Sequence, residues 1–254
     1  MTGSVSFDRA AGYYDQTRSL PDDQMEILVS RLLAELPSDG ICLEIGVGTG
    51  RIALPLIQRG LDVVGIDISV EMLRRLRAKS TAKIALADAT RLPFRDGTFA
   101  AAISAHVLHL IPEWQTALDE LIRVVRPGGH VLASRAGGSQ AEWQRAVRRH
   151  FFLEAGDPSW PPGIDTIEQL DDAMRSRGAI VREIEDVRSD GTSTISAVLT
   201  GLEQGTLSAC WSIDEETRHR AAAATRKWAQ TKLGDLDAPR RTWYSSDWRA
   251  YRLP

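Results

Sequence analysis

Residues 43–50, Leu43-Glu44-Ile45-Gly46-Val47-Gly48-Thr49-Gly50, set three glycines at alternate positions after an apolar run and before a helical pattern. Glycine takes positive φ and lets a ligand come close to the backbone. The amides that open the following helix can hold an anionic group. Three acids accompany the loop. Glu44 stands two residues before Gly46, Asp67 ends the next predicted strand, and Asp88 ends the one after. An ionised carboxylate only accepts hydrogen bonds, so an acid of this kind receives both hydroxyls of a ribose, and Asp88 suits an adenine amine. The plainer alternatives are strand-end acids in turns for Asp67 and Asp88, and a buried acid tied to backbone amides for Glu44. His106 and His109 follow the fourth predicted strand. An imidazole titrates near neutrality and can act as a base. His106 is the choice for that role, and packing is the plainer reading of His109.

Strands alternating with helices must position these groups. Strands are predicted at 41–45, 61–66, 83–87, 99–104 and 130–134. Helices are predicted from Pro21 to Pro37, through Leu54 and Ile57 to Gly60, from the cap Ser69 through Leu76, and from Pro112 to the break at Pro127-Gly128-Gly129. This alternation implies right-handed crossovers and a parallel sheet, with ligands at the carboxyl ends of its strands. After residue 138 the pattern loosens. A helix runs through Trp143 and Val147, another covers 164–177, and a strand covers 179–187. Ser212 and Glu215 have capping-box spacing before an alanine-rich helix that Gly234 ends. Residues 241–251 alternate as a late strand, so 192–236 reads as a helical insertion, and an insertion that long is usually functional or a cap over a site. Trp143, Trp160 and Trp211 are candidates to wall an apolar pocket, against core packing as the alternative. Cys42 reads as inert core.

The chain has 254 residues, 43% hydrophobic and 26% charged, with a formal net charge of −3. That is ordinary for a globular protein and carries no polybasic footprint for nucleic acid or an anionic membrane. No apolar run approaches the roughly 18 residues needed to span a bilayer, and residues 1–20 lack a signal-peptide core. Two isolated cysteines, Cys42 and Cys210, make neither a disulfide framework nor a metal site, which reads as a reducing, cytoplasmic setting.

The stretches LEIGVGTGR (43–51), VVGIDISVEML (63–73), ALADATRLPFRDGTF (85–99), SAHVLHLIPEW (104–114) and RVVRPGGHVL (123–132), in this order, resemble the class I S-adenosylmethionine-dependent methyltransferases. The branch they resemble is the broad small-molecule one related to quinone-biosynthesis methyltransferases. The resemblance implies an α/β, Rossmann-like, doubly wound sheet of seven strands, mostly parallel with an antiparallel last strand, plus a helical cap insertion. It implies one methyltransferase domain over 1–254, comprising an N-terminal segment and helix (1–36), a cofactor-binding core (40–138), and substrate-side helices, the 192–236 insertion and the last strands (139–254). It implies that Gly46, Gly48 and Gly50 line the methionine part of the cofactor and that Asp67 holds the ribose. Ile68 and Met72 then flank the adenine, Asp88 and Ala89 contact its edge, and Ser104 and Glu44 lie near the cofactor. FDRAAGYYDQTR (7–18) resembles the family segment that folds over the cofactor, which makes Tyr14 and Arg18 candidates, Arg18 as partner of the cofactor carboxylate. The chain departs from the family at Ala100, where an Asp usually follows the phenylalanine.

The expected reaction is transfer of a methyl group from S-adenosylmethionine to an O, N or C nucleophile of a small molecule, with His106 as base and no metal, nucleic acid or membrane partner. The rivals are a non-catalytic S-adenosylmethionine-binding protein, a nicotinamide-dependent oxidoreductase and a nucleic-acid or protein methyltransferase. Against the oxidoreductase, the spacing is Gly-x-Gly-x-Gly rather than Gly-x-Gly-x-x-Gly, Glu44 would sit near a pyrophosphate, and Asp88 would lack a role. The acidic balance disfavours the nucleic-acid and protein substrates.

Overall fold

The structure, a computed structural model, describes residues 3–18, 20–135, 141–156, 161–245 and 247–254, with the backbone alone for Arg18. In chain order the elements are α1 (Tyr14–Arg18), α2 (Asp22–Glu35), β1 (Cys42–Ile45), α3 (Ala53–Gln58), β2 (Val63–Asp67), α4 (Val70–Lys79), β3 (Lys83–Leu86), β4 (Phe99–Ala105), α5 (Trp114–Val124) and β5 (Val125–Ser134). There follow α6 (Glu142–Ala155), α7 (Ile167–Ser176), β6 (Ile180–Glu183), β7 (Ser189–Ser193), α8 (Ile195–Glu203), α9 (Glu215–Leu233), β8 (Arg240–Tyr244) and β9 (Trp248–Arg252). The chain divides into two compact units, one of residues 1–136, 162–187 and 246–254, the other of 137–161 and 188–245.

The first unit is built on a seven-stranded sheet of order β3-β2-β1-β4-β5-β9-β6. Strands β3, β2, β1, β4 and β5 pair in parallel, and β9 lies antiparallel between β5 and β6. The expected doubly wound sheet with an antiparallel last strand is present. Successive strand residues point to opposite faces. Leu43 and Ile45 pack with Leu118 and Leu121 of α5 and Leu170 and Met174 of α7. Cys42 and Ile103 pack on the other face with Leu28 and Leu32 of α2, Leu56 of α3 and Leu76 of α4. Both faces are covered, which is why β1 and β4 read as unbroken buried runs.

Local chemistry sets the element ends. The Ser69 hydroxyl accepts the Met72 N–H at 3.1 Å and starts α4. Leu36 is extended before Pro37, which stops α2. Helix α5 passes directly into β5, so Pro127-Gly128-Gly129 belongs to a strand longer than expected, with the register to β4 shifting between Phe99 and Ala101. At Ala100, where the family has Asp, the side chain is buried, and a Cβ on Gly40 would lie 2.7 Å from it.

The second unit packs α6, α8 and α9 around Val147, Phe151, Leu199, Leu202 and Ala222. Two expectations need correction. The Ser212–Glu215 capping box does not form: Asp214 caps α9, accepting the Thr217 N–H at 2.9 Å, so Glu215 is already the first helical residue. The capping box sits on α7 instead, between Thr166 and Gln169. The single late strand at 241–251 is two strands: β9 joins the large sheet, while β8 pairs with β7 in a separate two-stranded ribbon.

Candidate active site

The parallel neighbours β1, β2 and β3 deliver Glu44, Asp67 and Asp88 to the carboxyl edge of the sheet. A cavity opens at that edge, walled by both polar and apolar side chains. Gly46, Gly48, Asp67, Ile68, Met72, Asp88, Ala89, His106 and Tyr14 all line it.

Gly46 and Gly50 are packed too closely to carry side chains, and all three loop glycines adopt positive φ. Gly46 has φ 62°, and a Cβ there would lie 2.3 Å from Val107 Cγ2. Gly48 has φ 55° and donates its N–H to Asp67 Oδ2 at 2.8 Å. The Ser69 N–H donates to Asp67 Oδ1, also at 2.8 Å. Burial raises the Asp67 pKa, and the N–H groups of Ser69 and Gly48 pull against that rise. A carboxylate has roughly four lone-pair positions, so this one keeps capacity for two more donors, such as vicinal hydroxyls. Asp88 Oδ1 accepts from the Thr90 N–H at 2.9 Å and from its hydroxyl at 2.8 Å, which fixes the carboxylate at the cavity wall. Ile68, Met72 and Ala89 add the apolar contact that a flat heterocycle needs.

His106 is the only non-glycine residue at positive φ among the described residues, at 60°. Its N–H donates to Ser134 O at 3.0 Å. Such a conformation costs energy in a residue with a Cβ and tends to occur at functional sites. His109, in a 3₁₀ turn three residues on, is buried and does not line the cavity. Burial, with the charge of Arg135, pushes its pKa down to about 3.

Residues before α1 close one side. Ser4, Val5 and Phe7 line the cavity with Tyr14, and the rings of Phe7 and Tyr14 meet edge to face at 5.9 Å. Two acids that the sequence reading overlooked hold this segment. Asp8 Oδ1 accepts the Ser69 hydroxyl at 2.6 Å and the Glu71 N–H at 3.1 Å, at the start of α4 where the helix dipole favours an anion. Asp15 accepts from Lys79 Nζ at 2.7 Å and from the Thr49 hydroxyl in the glycine loop. Isolated polar residues offer no periodicity, so only their place inside the matching 7–18 segment signals them.

Three named residues lie off the cavity wall. A Cβ on Gly50 would meet Leu76 at 2.7 Å and Leu54 at 2.8 Å, so this glycine serves helix packing. Ser104 is fully buried, and its neighbour Ala105 lines the cavity instead. Glu44 is buried with Oε2 unpartnered among the described residues. The Arg18 side chain and Trp160 lie outside what the structure describes. Trp143 and Trp211 do not line this cavity; they bond Arg241 O at 2.9 Å and Gly205 O at 3.1 Å within the second unit. Among the described residues no cluster of His, Cys, Asp or Glu is arranged to hold a metal ion. The residues present fit an adenosyl ligand with a cationic tail: a backbone cradle, a carboxylate for hydroxyls, an apolar slot, and a buried acid with an unfilled oxygen.

Comparison with known proteins agrees. Residues 43–133 match a family described as a methyltransferase domain. The demethylmenaquinone methyltransferase of Streptomyces avermitilis is 35% identical over 159 residues, covering 60% of this chain and 68% of that protein. The demethylmenaquinone methyltransferase of Clavibacter sepedonicus is 35% identical over 137 residues, covering 51% of this chain and 56% of that one. The chain thus spans little more than half the length of the Clavibacter relative. Among solved structures, the YcgJ protein of Bacillus subtilis shares the fold, with a TM-score of 0.62 over 92% of this chain and 99% of its own at 15% identity. Phosphoethanolamine N-methyltransferase 2 of Haemonchus contortus, solved with S-adenosyl-L-methionine, superposes with a TM-score of 0.57 over 99% of this chain and 61% of its own at 17% identity.

Proposed function

The chain belongs to the S-adenosylmethionine-dependent methyltransferase family, and on that premise we propose that it methylates an O, N or C nucleophile of a small molecule. One observation carries the reading: Asp67, fixed by the Gly48 and Ser69 N–H groups, faces the same cavity as the bare glycine turn, Asp88 and His106. Bound there, S-adenosylmethionine supplies a methyl group already activated on a sulfonium, for in-line displacement. The protein's task is alignment, which in well-ordered pairs is worth about 7–11 kcal/mol.

In this reading the Asp67 carboxylate accepts the ribose hydroxyls. Ile68 and Met72 sandwich the adenine, while Asp88 and Ala89 read its edge. Gly46 and Gly48 give backbone to the methionine part, and Gly50 sets the turn. Tyr14 covers the cavity, and Arg18 answers the carboxylate. Glu44 and Ser104 act from behind the wall. His106, held at strained φ on the wall, takes the proton of an acceptor hydroxyl. A small acceptor is supported by the apolar Val5, Val107, Leu110 and Ile111 that share the cavity wall with His106 and by the absence of excess positive charge. Both cysteines are buried and unpaired, in keeping with a reducing cytoplasmic setting, and no described helix is long and apolar enough to cross a membrane.

Incubating the protein with S-adenosylmethionine and a metabolite extract tests this. S-adenosylhomocysteine should accumulate above the extract-free blank; none above it would contradict methyl transfer. His106→Ala should lower turnover about 10²–10⁴-fold with cofactor affinity unchanged. Equal turnover in both proteins would remove His106 as the base.

A further inference from the structure

Glu44 is the penultimate residue of β1, two positions before the first glycine of the turn, and its carboxyl is buried with Oε2 lacking any partner among the described residues. A buried charge without a partner is costly, and a group in that position neutralises instead. The groups that face it are few. Arg51, at the exit of the turn, and the Ala53 N–H favour the charged form. Asp67 on β2 opposes it. Cys42, two residues back on β1, feels the same carboxyl, and burial keeps its thiol protonated. Asp8 adds negative charge at Asp67. Two acids therefore compete for one negative charge at neighbouring strand ends. Asp67 has two backbone N–H groups on its oxygens, whereas Glu44 has one carboxyl oxygen with none.

We infer that Glu44 is protonated in the ligand-free protein and releases that proton to solvent when the cationic cofactor binds, so that cofactor binding is coupled to proton release. This rests on the reading of the cavity as the S-adenosylmethionine site. The step is a simple ionisation: the Glu44 O–H bond breaks, the carboxylate keeps the electron pair, and the proton leaves to buffer. The ligand adds a second positive charge to that of Arg51, which by itself does not offset the burial of the carboxyl. Burial already pushes the Glu44 pKa up to about 8. Affinity should therefore rise about tenfold per pH unit as pH approaches 8 from below, and level off above it.

Calorimetry of the full chain with S-adenosylmethionine at pH 6.5, in buffers of different ionisation enthalpy, reads the coupling. The wild type should release about one proton per cofactor bound, and Glu44→Gln should bind while releasing about none. At this pH the ligand's own amine stays protonated and adds little. Heats of wild-type binding that do not depend on the buffer would overturn the inference, as would equal release by Glu44→Gln, which would place the proton on Asp67. Failure of the wild type to bind at all would instead overturn the cavity assignment, and the inference with it. Infrared difference spectra of the wild type, with and without ¹³C-labelled glutamate, give a second readout independent of the variant's folding. Cofactor should abolish a protonated-carboxyl band that shifts with the label; no such band, or one that persists, would overturn the inference.

Discussion

Asp67 and Asp88 were legible as acids at the cavity edge because each closes a predicted strand, and parallel strands carry their ends to the edge where the glycine turn of β1 lies. Asp67 does double duty: it orders the turn through Gly48 and still offers lone pairs to the cavity. Removing it should weaken S-adenosylmethionine binding roughly 100-fold or more, since hydrogen bonds to a charged group contribute about 1.5–3 kcal/mol each. Titration of Asp67→Ala checks this, with circular dichroism confirming the fold; unchanged affinity would refute the role. The two histidines show the limit of residue types. His106 is preferred to His109, but residue type alone does not separate them: the first lines the cavity at positive φ while the second is sealed in the core with its pKa pushed down to about 3. Ser104 shows another limit. Alternation places Ser104 and Ala105 on opposite faces, and a motif does not say which of them meets the ligand.

The glycine turn was the clearest element, since its context of strand and helix is what the motif requires. Its tolerance is measurable. Gly46→Ala puts a Cβ into Val107 at φ 62°, so it should lower unfolding free energy by about 1–3 kcal/mol and cofactor affinity at least tenfold. Denaturant titration and calorimetry give both numbers; values equal to wild type would show that the cradle is not as tight as the contacts require. Other elements were hidden for physical reasons. Strand β7, Ser-Asp-Gly-Thr-Ser, is polar and largely exposed, so it has no apolar alternation to read. The α9 cap was misplaced because Ser212 and Asp214 are both good caps, and only the geometry chooses between them.

At the scale of the molecule, alternating strands and helices were enough to expect a mostly parallel sheet, but not to expect where the chain's last strand inserts. Period-two alternation identifies a strand and is silent about its partners. β9 lies between β5 and β6, and long-range polar contacts hold it there. The Tyr251 hydroxyl donates to the buried Asp171 of α7 at 2.8 Å, and Arg249 Nε donates to the same carboxylate at 3.3 Å. These pairings span nearly eighty residues and leave no trace in local pattern. What the whole sheet accomplishes is the meeting of three strand ends at one cavity, and that is the claim most in need of a direct test. Diffraction from crystals grown with S-adenosylhomocysteine provides it. The account predicts ligand density with the ribose hydroxyls on Asp67, the adenine between Ile68 and Met72, and its amine toward Asp88. Density at another site, or an empty cavity at saturating ligand, would contradict it.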